Sequence, residues 1–338
     1  LLYNSDSEGL DAGEKSRFIT QLVLDKQVNH QLKINNYFAK TPETINELMQ
    51  IEKSDLLQKR LHEIATVKGV SPSTIGNYMR NPIQFYMQRV LGIREMEEVE
   101  ENIALNTLGT IIHGSLELLY MPYVGKKLTI EMVDEMLRKS DAEIRNQFNI
   151  NYSETAEKQG KNLIAYEVAK RNVYHFLSLE KEQLTQGDDV TVIALEQQLN
   201  TVIEDPRLPY PIKLAGIADR VEIRNGILRI IDYKTGKVEL NQVQINAIEG
   251  ITTDLKYEKA IQLLIYGLMY KSETELPIQA GIYSFKNRKS GYLMFGLKVD
   301  KQTNSDFSDE ILQAFKTELV TLLLEILNPE LLFEEIFI

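Results

Sequence analysis

Residues 214–236 read Leu-Ala-Gly-Ile-Ala-Asp-Arg-Val-Glu-Ile-Arg-Asn-Gly-Ile-Leu-Arg-Ile-Ile-Asp-Tyr-Lys-Thr-Gly, two β-rich runs joined by Asn225-Gly226. Asn-Gly between such runs is the strongest short signal for a hairpin, because a two-residue type I′ loop needs positive φ at both positions. With that loop, Arg224 lies opposite Ile227, and counting back along both strands sets Asp219 opposite Asp232. Directly opposed residues hold their Cβ atoms about 4.5–5.5 Å apart. Lys234 shares the face, since strand side chains alternate. A slip of one residue would scatter the set.

Two facing carboxylates repel by roughly 3 kcal/mol at an effective dielectric near 20. Either one of them is protonated or a cation sits between them. An oxygen-rich site beside an ammonium suits Mg²⁺ or Mn²⁺, and such an ion activates water and stabilises charge on a phosphoryl group. Lys234 would orient that water or hold a phosphate oxygen. The plainer alternative is a surface hairpin whose charges point to water. The apolar residues around both acids favour the metal site.

Outside the hairpin the periodicity changes twice. Leu1–Lys68 is polar and partly helical, with Phe18, Leu22 and Val23 at helical spacing. Ser71-Pro72 is a helix start, a hydroxyl cap followed by proline at the first helical position. That helix ends near Asn81-Pro82, and Ile83–Leu91 follows. The run Glu95–Glu101 holds five Glu in seven residues and reads as a solvated hinge. Leu105–Tyr120, Ile130–Phe148 and Glu154–Thr185 carry helical stripes. Val190–Leu199, Ile212–Arg224 and Ile227–Tyr233 are Val/Ile-rich strands. Lys256–Tyr270 returns to helix, Ala280–Phe285 and Tyr292–Val299 form a strand pair, and Asp306–Leu327 is a long amphipathic helix. Helices followed by a small, mostly antiparallel sheet with one late helix make an α/β domain.

The chain has 338 residues, 43% of them hydrophobic and 26% charged, with 38 Lys+Arg against 49 Asp+Glu and a net charge of −11. That excludes general disorder and a cationic nucleic-acid coat. The longest apolar run, Leu263–Tyr270, is about eight residues, far short of the roughly 18–20 that cross a bilayer, so no membrane association is expected. No charged-then-apolar secretory signal opens the chain as read from Leu1. With no cysteine, disulfides, thiolate zinc sites and cysteine-held iron–sulfur clusters are excluded, and the cytoplasm is the default compartment. The first residue is Leu1 rather than Met, as in a piece of a longer polypeptide.

Other residues support the acid pair. His113 and Glu117, one turn apart, share a helical face, and His113 is a candidate third ligand. Gln262 and Tyr266 have the same spacing and would bond a phosphate or pin the Lys234 strand. Lys286, Arg288 and Lys289, with Phe285 and Tyr292, form a basic-aromatic loop that would grip a nucleic-acid backbone or serve as a solvated turn.

Taken in order, Gly109-Thr110-Ile111-Ile112-His113, Gly216-Ile217-Ala218-Asp219-Arg220, Asp232-Tyr233-Lys234-Thr235-Gly236, and Gln262 with Tyr266 resemble the PD-(D/E)XK nuclease superfamily, in its RecB/AddB-like branch. The resemblance covers about Ser71–Val299. It implies a restriction-endonuclease-like core, a small mixed, mainly antiparallel sheet flanked by helices, with added helical segments. It implies that His113, Asp219, Asp232 and the Tyr233 carbonyl bind Mg²⁺ or Mn²⁺, and that Lys234 is the catalytic lysine. Gln262 and Tyr266 then form the family's Q-x-x-x-Y element, and Arg220 is a supporting residue. Many relatives place a cluster-ligating Cys where this chain has Asn81, so no iron–sulfur cluster is expected. Leu2–Phe18 resembles the tail of a helicase-like domain, which divides the chain into an extension, 1–68, and a nuclease domain, 69–338. There is no Walker A pattern. The reading is therefore a metal-dependent DNA exonuclease, the C-terminal part of an AddB-like subunit in double-strand-break repair, with DNA and a helicase–nuclease subunit as partners. Its rivals are an inactive DNA-binding or docking scaffold and a superfamily member with another role.

Overall fold

A computed structural model of the chain describes residues 17–24, 48–93, 103–152, 160–271, 274–287, 291–300 and 302–336. Two compact units divide it, residues 1–47 and 48–338. In the first, Arg17–Leu24 is a helix, α1. The second carries the hairpin. Residues 48–68, part of the extension in the sequence reading, fall in this second unit. There Gln50–Ile51 forms β1, and Asp55–Glu63 forms α2, which sinks Leu57 and Leu61 into the core.

Helices α3 (Pro72–Arg80), α4 (Pro82–Phe85), α5 (Leu105–Tyr120), α6 (Ile130–Asn151) and α7 (Gly160–Thr185) precede the main sheet. Ser71 Oγ accepts from the Thr74 amide at 3.1 Å and Pro72 opens α3, as the Ser-Pro pair requires. Asn81 caps α4 through Oδ1, and its Nδ2 donates to the Ile336 carbonyl at 3.4 Å. Strands β2 (Val190–Ile203), β3 (Ile212–Arg224) and β4 (Ile227–Lys234) follow. Then come β5 (Gln244–Ile245), α8 (Glu258–Tyr270), β6 (Ile278–Ser284), β7 (Tyr292–Met294), β8 (Gly296–Val299), β9 (Gln302–Asn304), α9 (Asp309–Leu327) and β10 (Phe333–Glu334).

The main sheet has the order β2-β3-β4-β6-β7. Only its β4–β6 pair is parallel, and α8 supplies the crossover between those strands. Strand β4 sits in the middle of this sheet and is buried on both faces, which is why Ile227–Tyr233 shows no clean polar alternation. One core, with α2, α3, α8 and α9, covers one face and takes Leu214, Ala218, Leu228 and Ile230 from the strands. A second, built on α5, α6 and α7, covers the other and takes Val190, Val192, Ile231 and Tyr233. The outcome is the mixed α/β sheet between helical layers expected of a restriction-endonuclease-like core.

One expected element divides. Tyr292–Val299 is two strands: Tyr292–Met294 pairs with β6, whereas Gly296–Val299 pairs with β5 and β9 in another sheet. Phe295, fully buried between them, is the corner. The glutamate run at 95–101 lies outside the described residues. Among the described residues no helix is long and apolar enough to cross a membrane.

Candidate metal and nuclease centre

Asn225 and Gly226 adopt φ of +53° and +79°, the positive pair a type I′ loop demands. The register is the one that loop dictates, from Arg224↔Ile227 to Arg220↔Ile231. There the β3–β4 ladder stops, one pair short of Asp219 and Asp232. Past this point β4 pairs with β6 alone, while β3 continues against β2. The two aspartates stand at the mouth of a fork between diverging strands, not as the directly opposed pair expected from counting.

The fork coincides with a change of parity in β3. Ala218 enters the first core, yet Arg220 lies on the other side, over the Tyr120 ring at 4.5 Å. Strand β2 flips at the matching place. Glu196 has a φ of +45°, Leu195 packs on the second core and Leu199 in the first. Strict period-two counting runs out where both strands turn over, and that is why the expected shared face does not extend to Asp219.

Two groups of side chains meet at the fork. On the α8 side, buried Asp232 lies 2.8 Å from Lys234 Nζ through Oδ2. Its Oδ1 accepts from Gln262 Nε2 at 2.7 Å and from Tyr266 Oη at 3.3 Å. Gln262 also donates to Tyr266 Oη at 3.0 Å. On the α5 side, Asp219 Oδ2 accepts from the Tyr233 amide at 2.5 Å, and Oδ1 lies 3.6 Å from His113 Nδ1. Tyr233 links the groups: its amide holds Asp219, and its ring meets the His113 ring edge-on at 5.5 Å. Its carbonyl, the ligand implied by resemblance, lies in the chain between Asp232 and Lys234.

Each titratable group here feels the others. Burial raises the Asp232 carboxyl; Lys234 opposes that rise and Asp219 adds to it. Burial would lower Lys234, but the charge and hydrogen bond of Asp232 outweigh it and hold the ammonium above its usual range. Burial likewise disfavours a charged His113; Asp219, then Asp232 and Glu196, raise it nonetheless.

Glu196 is the residue the sequence reading missed. One atom each from His113, Glu196 and Asp219 lie within 4.8 Å of one another. Burial first, and the Asp219 charge second, push the Glu196 carboxyl up to about 7. The signal was one acid inside the strand-like Val190–Leu199 run. Using it needed the β2–β3 register, which is set across an irregular connection at 204–211 rather than a tight turn. Lys259 on α8 was also missed. Burial lowers its ammonium, with the Lys234 charge assisting, while Glu258, 3.9 Å away, opposes.

The remaining predicted residues are placed differently. Glu117 follows His113 by one turn, and its charge helps to raise Glu196. Arg220 is fully buried, ion-paired to Glu180 at 2.7 Å and Glu222 at 2.5 Å, an arrangement that supports the sheet beside the fork. Lys286 is exposed after β6, and Arg288 and Lys289 lie outside the described residues.

A profile of the PD-(D/E)XK nuclease superfamily matches residues 69–336, the stretch that carries this fork.

The chain belongs to the PD-(D/E)XK nuclease superfamily.

Three curated relatives of this superfamily member carry the name uncharacterized protein. A Rickettsia felis protein is 23% identical over 261 residues, 74% of this chain and 28% of its own length. A Rickettsia conorii protein is 26% identical over 191 residues, 53% of this chain and 20% of its own. A Rickettsia typhi protein is 25% identical over 230 residues, 66% of this chain and 25% of its own. The chain thus spans about a quarter of the length of these relatives.

The donors suit the divalent ion that PD-(D/E)XK nucleases typically use. His113, Glu196 and Asp219 offer one nitrogen and two carboxylates in a half-buried cluster, a set that hard cations accept. Burial first, and the Asp219 charge second, raise Glu196; a bound cation would offset both by favouring the carboxylate form.

Proposed function

We propose that this chain is a Mg²⁺- or Mn²⁺-dependent deoxyribonuclease, an exonuclease by preference. In our reading it is the nuclease domain of a cytoplasmic, AddB-like helicase–nuclease subunit that works with a partner subunit in double-strand-break repair. The observation that carries the activity is the fork, where Asp219 with His113 and Glu196 meets Asp232 with Lys234, Gln262 and Tyr266. His113, Glu196, Asp219 and Asp232 would hold the cation, which supplies charge neutralisation at a phosphoryl oxygen and a more acidic water.

The protein's own groups perform the rest. Lys234 keeps its proton because Asp232 faces it, so Nζ presents N–H donors to a non-bridging phosphate oxygen or to the attacking water. Gln262 and Tyr266 occupy Asp232 Oδ1, which fixes its rotamer and leaves Oδ2 toward Lys234. The Tyr233 amide does the same for Asp219 Oδ2, directing Oδ1 toward His113. Hydrolysis adds the water oxygen to phosphorus, breaks one P–O ester bond and passes a proton to the departing oxygen.

The wider context rests on the ordered motifs of the RecB/AddB-like branch and on relatives several times longer than the matched region. The test is incubation with linear single- and double-stranded DNA, with Mg²⁺ or with EDTA. The expected result is metal-dependent degradation that Asp232→Ala and Lys234→Ala abolish. DNA binding without cleavage by the wild-type protein would overturn the reading in favour of a scaffold.

A further inference from the structure

The β2–β3 ribbon runs on beyond the fork with one bare face. On β3, Ile212, Leu214 and Ala218 enter the first core, so Lys213, Ala215 and Ile217 point the other way. On β2, Leu199 and Ile203 enter the same core, which turns Gln198, Asn200 and Val202 to the bare side. The α5–α7 layer takes Val190 and Val192 from the near end of β2 and leaves this far end open. Gln198 and Asn200 are exposed, and Ile217 is 50% exposed.

A wall rises along one side. Val70 donates its amide to the Lys213 carbonyl at 2.8 Å, and Ala215 donates to the Val70 carbonyl at 3.0 Å, so residues 69–71 lie against β3 where β4 has left. Gly69, at φ +90°, permits the approach: any Cβ there would collide with the Ala215 Cβ. Wall and ribbon enclose an open cleft of about 350 Å³. Lys68 and Lys213 are among its lining residues, and no carboxylate is. Lys68 also lies 3.2 Å from Glu63, and Lys213 donates to the Val67 carbonyl at 3.2 Å. An exposed pair of that kind is worth little in water, so on a chain of net charge −11 the two ammonium groups still favour an anionic occupant. Its floor ends at Ile217, two residues and about 7 Å along the strand from Asp219.

We infer that this ribbon face seats the nucleic-acid strand that enters the metal centre. Lys68 and Lys213 face its phosphates. Gln198 and Asn200, each carrying a donor and an acceptor, meet sugar or base edges. Ile217 offers an apolar platform beneath a base. The inference rests on the nuclease reading for its ligand, but the seat itself is tested without cleavage.

The wild-type protein in EDTA is bound to a short fluorescent single-stranded oligonucleotide, with saturation followed by anisotropy. Lysine acylation is then mapped by mass spectrometry with and without DNA. The expected result is severalfold protection of Lys68 and Lys213, with exposed Lys126 unchanged. Failure of the oligonucleotide to bind, or equal acylation of both lysines in the bound protein, overturns the seat. In the Lys68→Glu/Lys213→Glu double variant, affinity should fall about tenfold and the salt slope by about two; unchanged binding also overturns it. A footprint on a protein that never cleaves DNA would sink the nuclease reading alone. Cleavage without a footprint would sink the seat alone.

Discussion

Two charge clusters share strand β3, and they are balanced in opposite ways. Arg220, Glu222 and Arg224 alternate along one face of the strand and meet Glu180 from α7. Each arginine bridges both glutamates at 2.5–2.8 Å, and all four side chains are 0–1% exposed. Those four charges cancel one another, and Arg224 also reaches Asp188 at the rim at 2.8 Å. One step along the strand, Asp219 joins Glu196 and Asp232, and Lys234 and His113 lie against these carboxylates, with Lys259 also feeling the Asp232 charge. Burial first, and the neighbouring Asp219 charge after it, raise the carboxyls of Asp232 and Glu196. The difference arises from backbone geometry. Where the ladder is intact the charges close on one another; where the strands fork they are left for a ligand to complete.

The strongest challenge to that contrast is removal of a charge from each cluster. Asp219→Asn and Asp232→Asn should each reduce Mg²⁺-dependent DNA cleavage by about 10⁴-fold, roughly 5 kcal/mol of barrier, in single-turnover assays. Asp232→Asn should change the melting temperature little in calorimetry, because the buried carboxylate it removes is offset by the Lys234 ammonium left without its partner. A variant that cleaves within about tenfold of wild type would erase the distinction.

The converse holds beneath the sheet. Glu222→Gln should cost about 3–5 kcal/mol in urea unfolding, since it leaves Arg220 and Arg224 partly uncompensated in the interior. A loss below about 1 kcal/mol would mean that this cluster is not the closed unit its geometry describes.

Adding a cation should affect one cluster alone. At a hundredfold excess over Kd, Mn²⁺ should stabilise the wild-type protein by about 2.7 kcal/mol, read as a rise in melting temperature. Asp219→Asn should lose most of that gain, and Glu222→Gln should retain it.

The smallest expected effect is on pH dependence. Glu196 titrates at about 7 in the folded protein against an ordinary 4.5. Between these values the folded state holds a proton that the unfolded chain has released, so metal-free stability should fall as pH rises through that window. Glu196→Gln should flatten the slope in denaturation curves taken at several pH values, leaving the share that Asp232 contributes. An unchanged slope would mean that Glu196 is not crowded by its neighbours.

Much of this arrangement is legible without coordinates because it is local. Ser71-Pro72 starts a helix, and Leu105–Tyr120 carries His113 on a helix of those bounds. Lys234 meets Asp232 because alternate residues on a strand share a face. Gln262 and Tyr266 reach Asp232 together because they are one helical turn apart. Glu196 was not legible, since nothing within β2 tells which residue of β3 it meets. The division of Tyr292–Val299 at Phe295 was hidden as well, because one apolar run fits a single strand as easily as a strand that changes sheets.

By itself the chain determined the hairpin, its loop and its register, since Asn225-Gly226 admits few alternatives and the pairs from Arg224↔Ile227 to Arg220↔Ile231 follow from the loop. It also determined which side chains sit one strand step or one helical turn apart, because those distances are properties of the backbone. Only the tertiary structure decided where the ladder ends, that β2 and β3 turn over together at Glu196 and Asp219, and hence that the acids sit in a fork. Those outcomes depend on β4 leaving β3 for β6 and on two cores competing for opposite faces of the same strands. Such competition between distant segments leaves no periodic trace in any one of them.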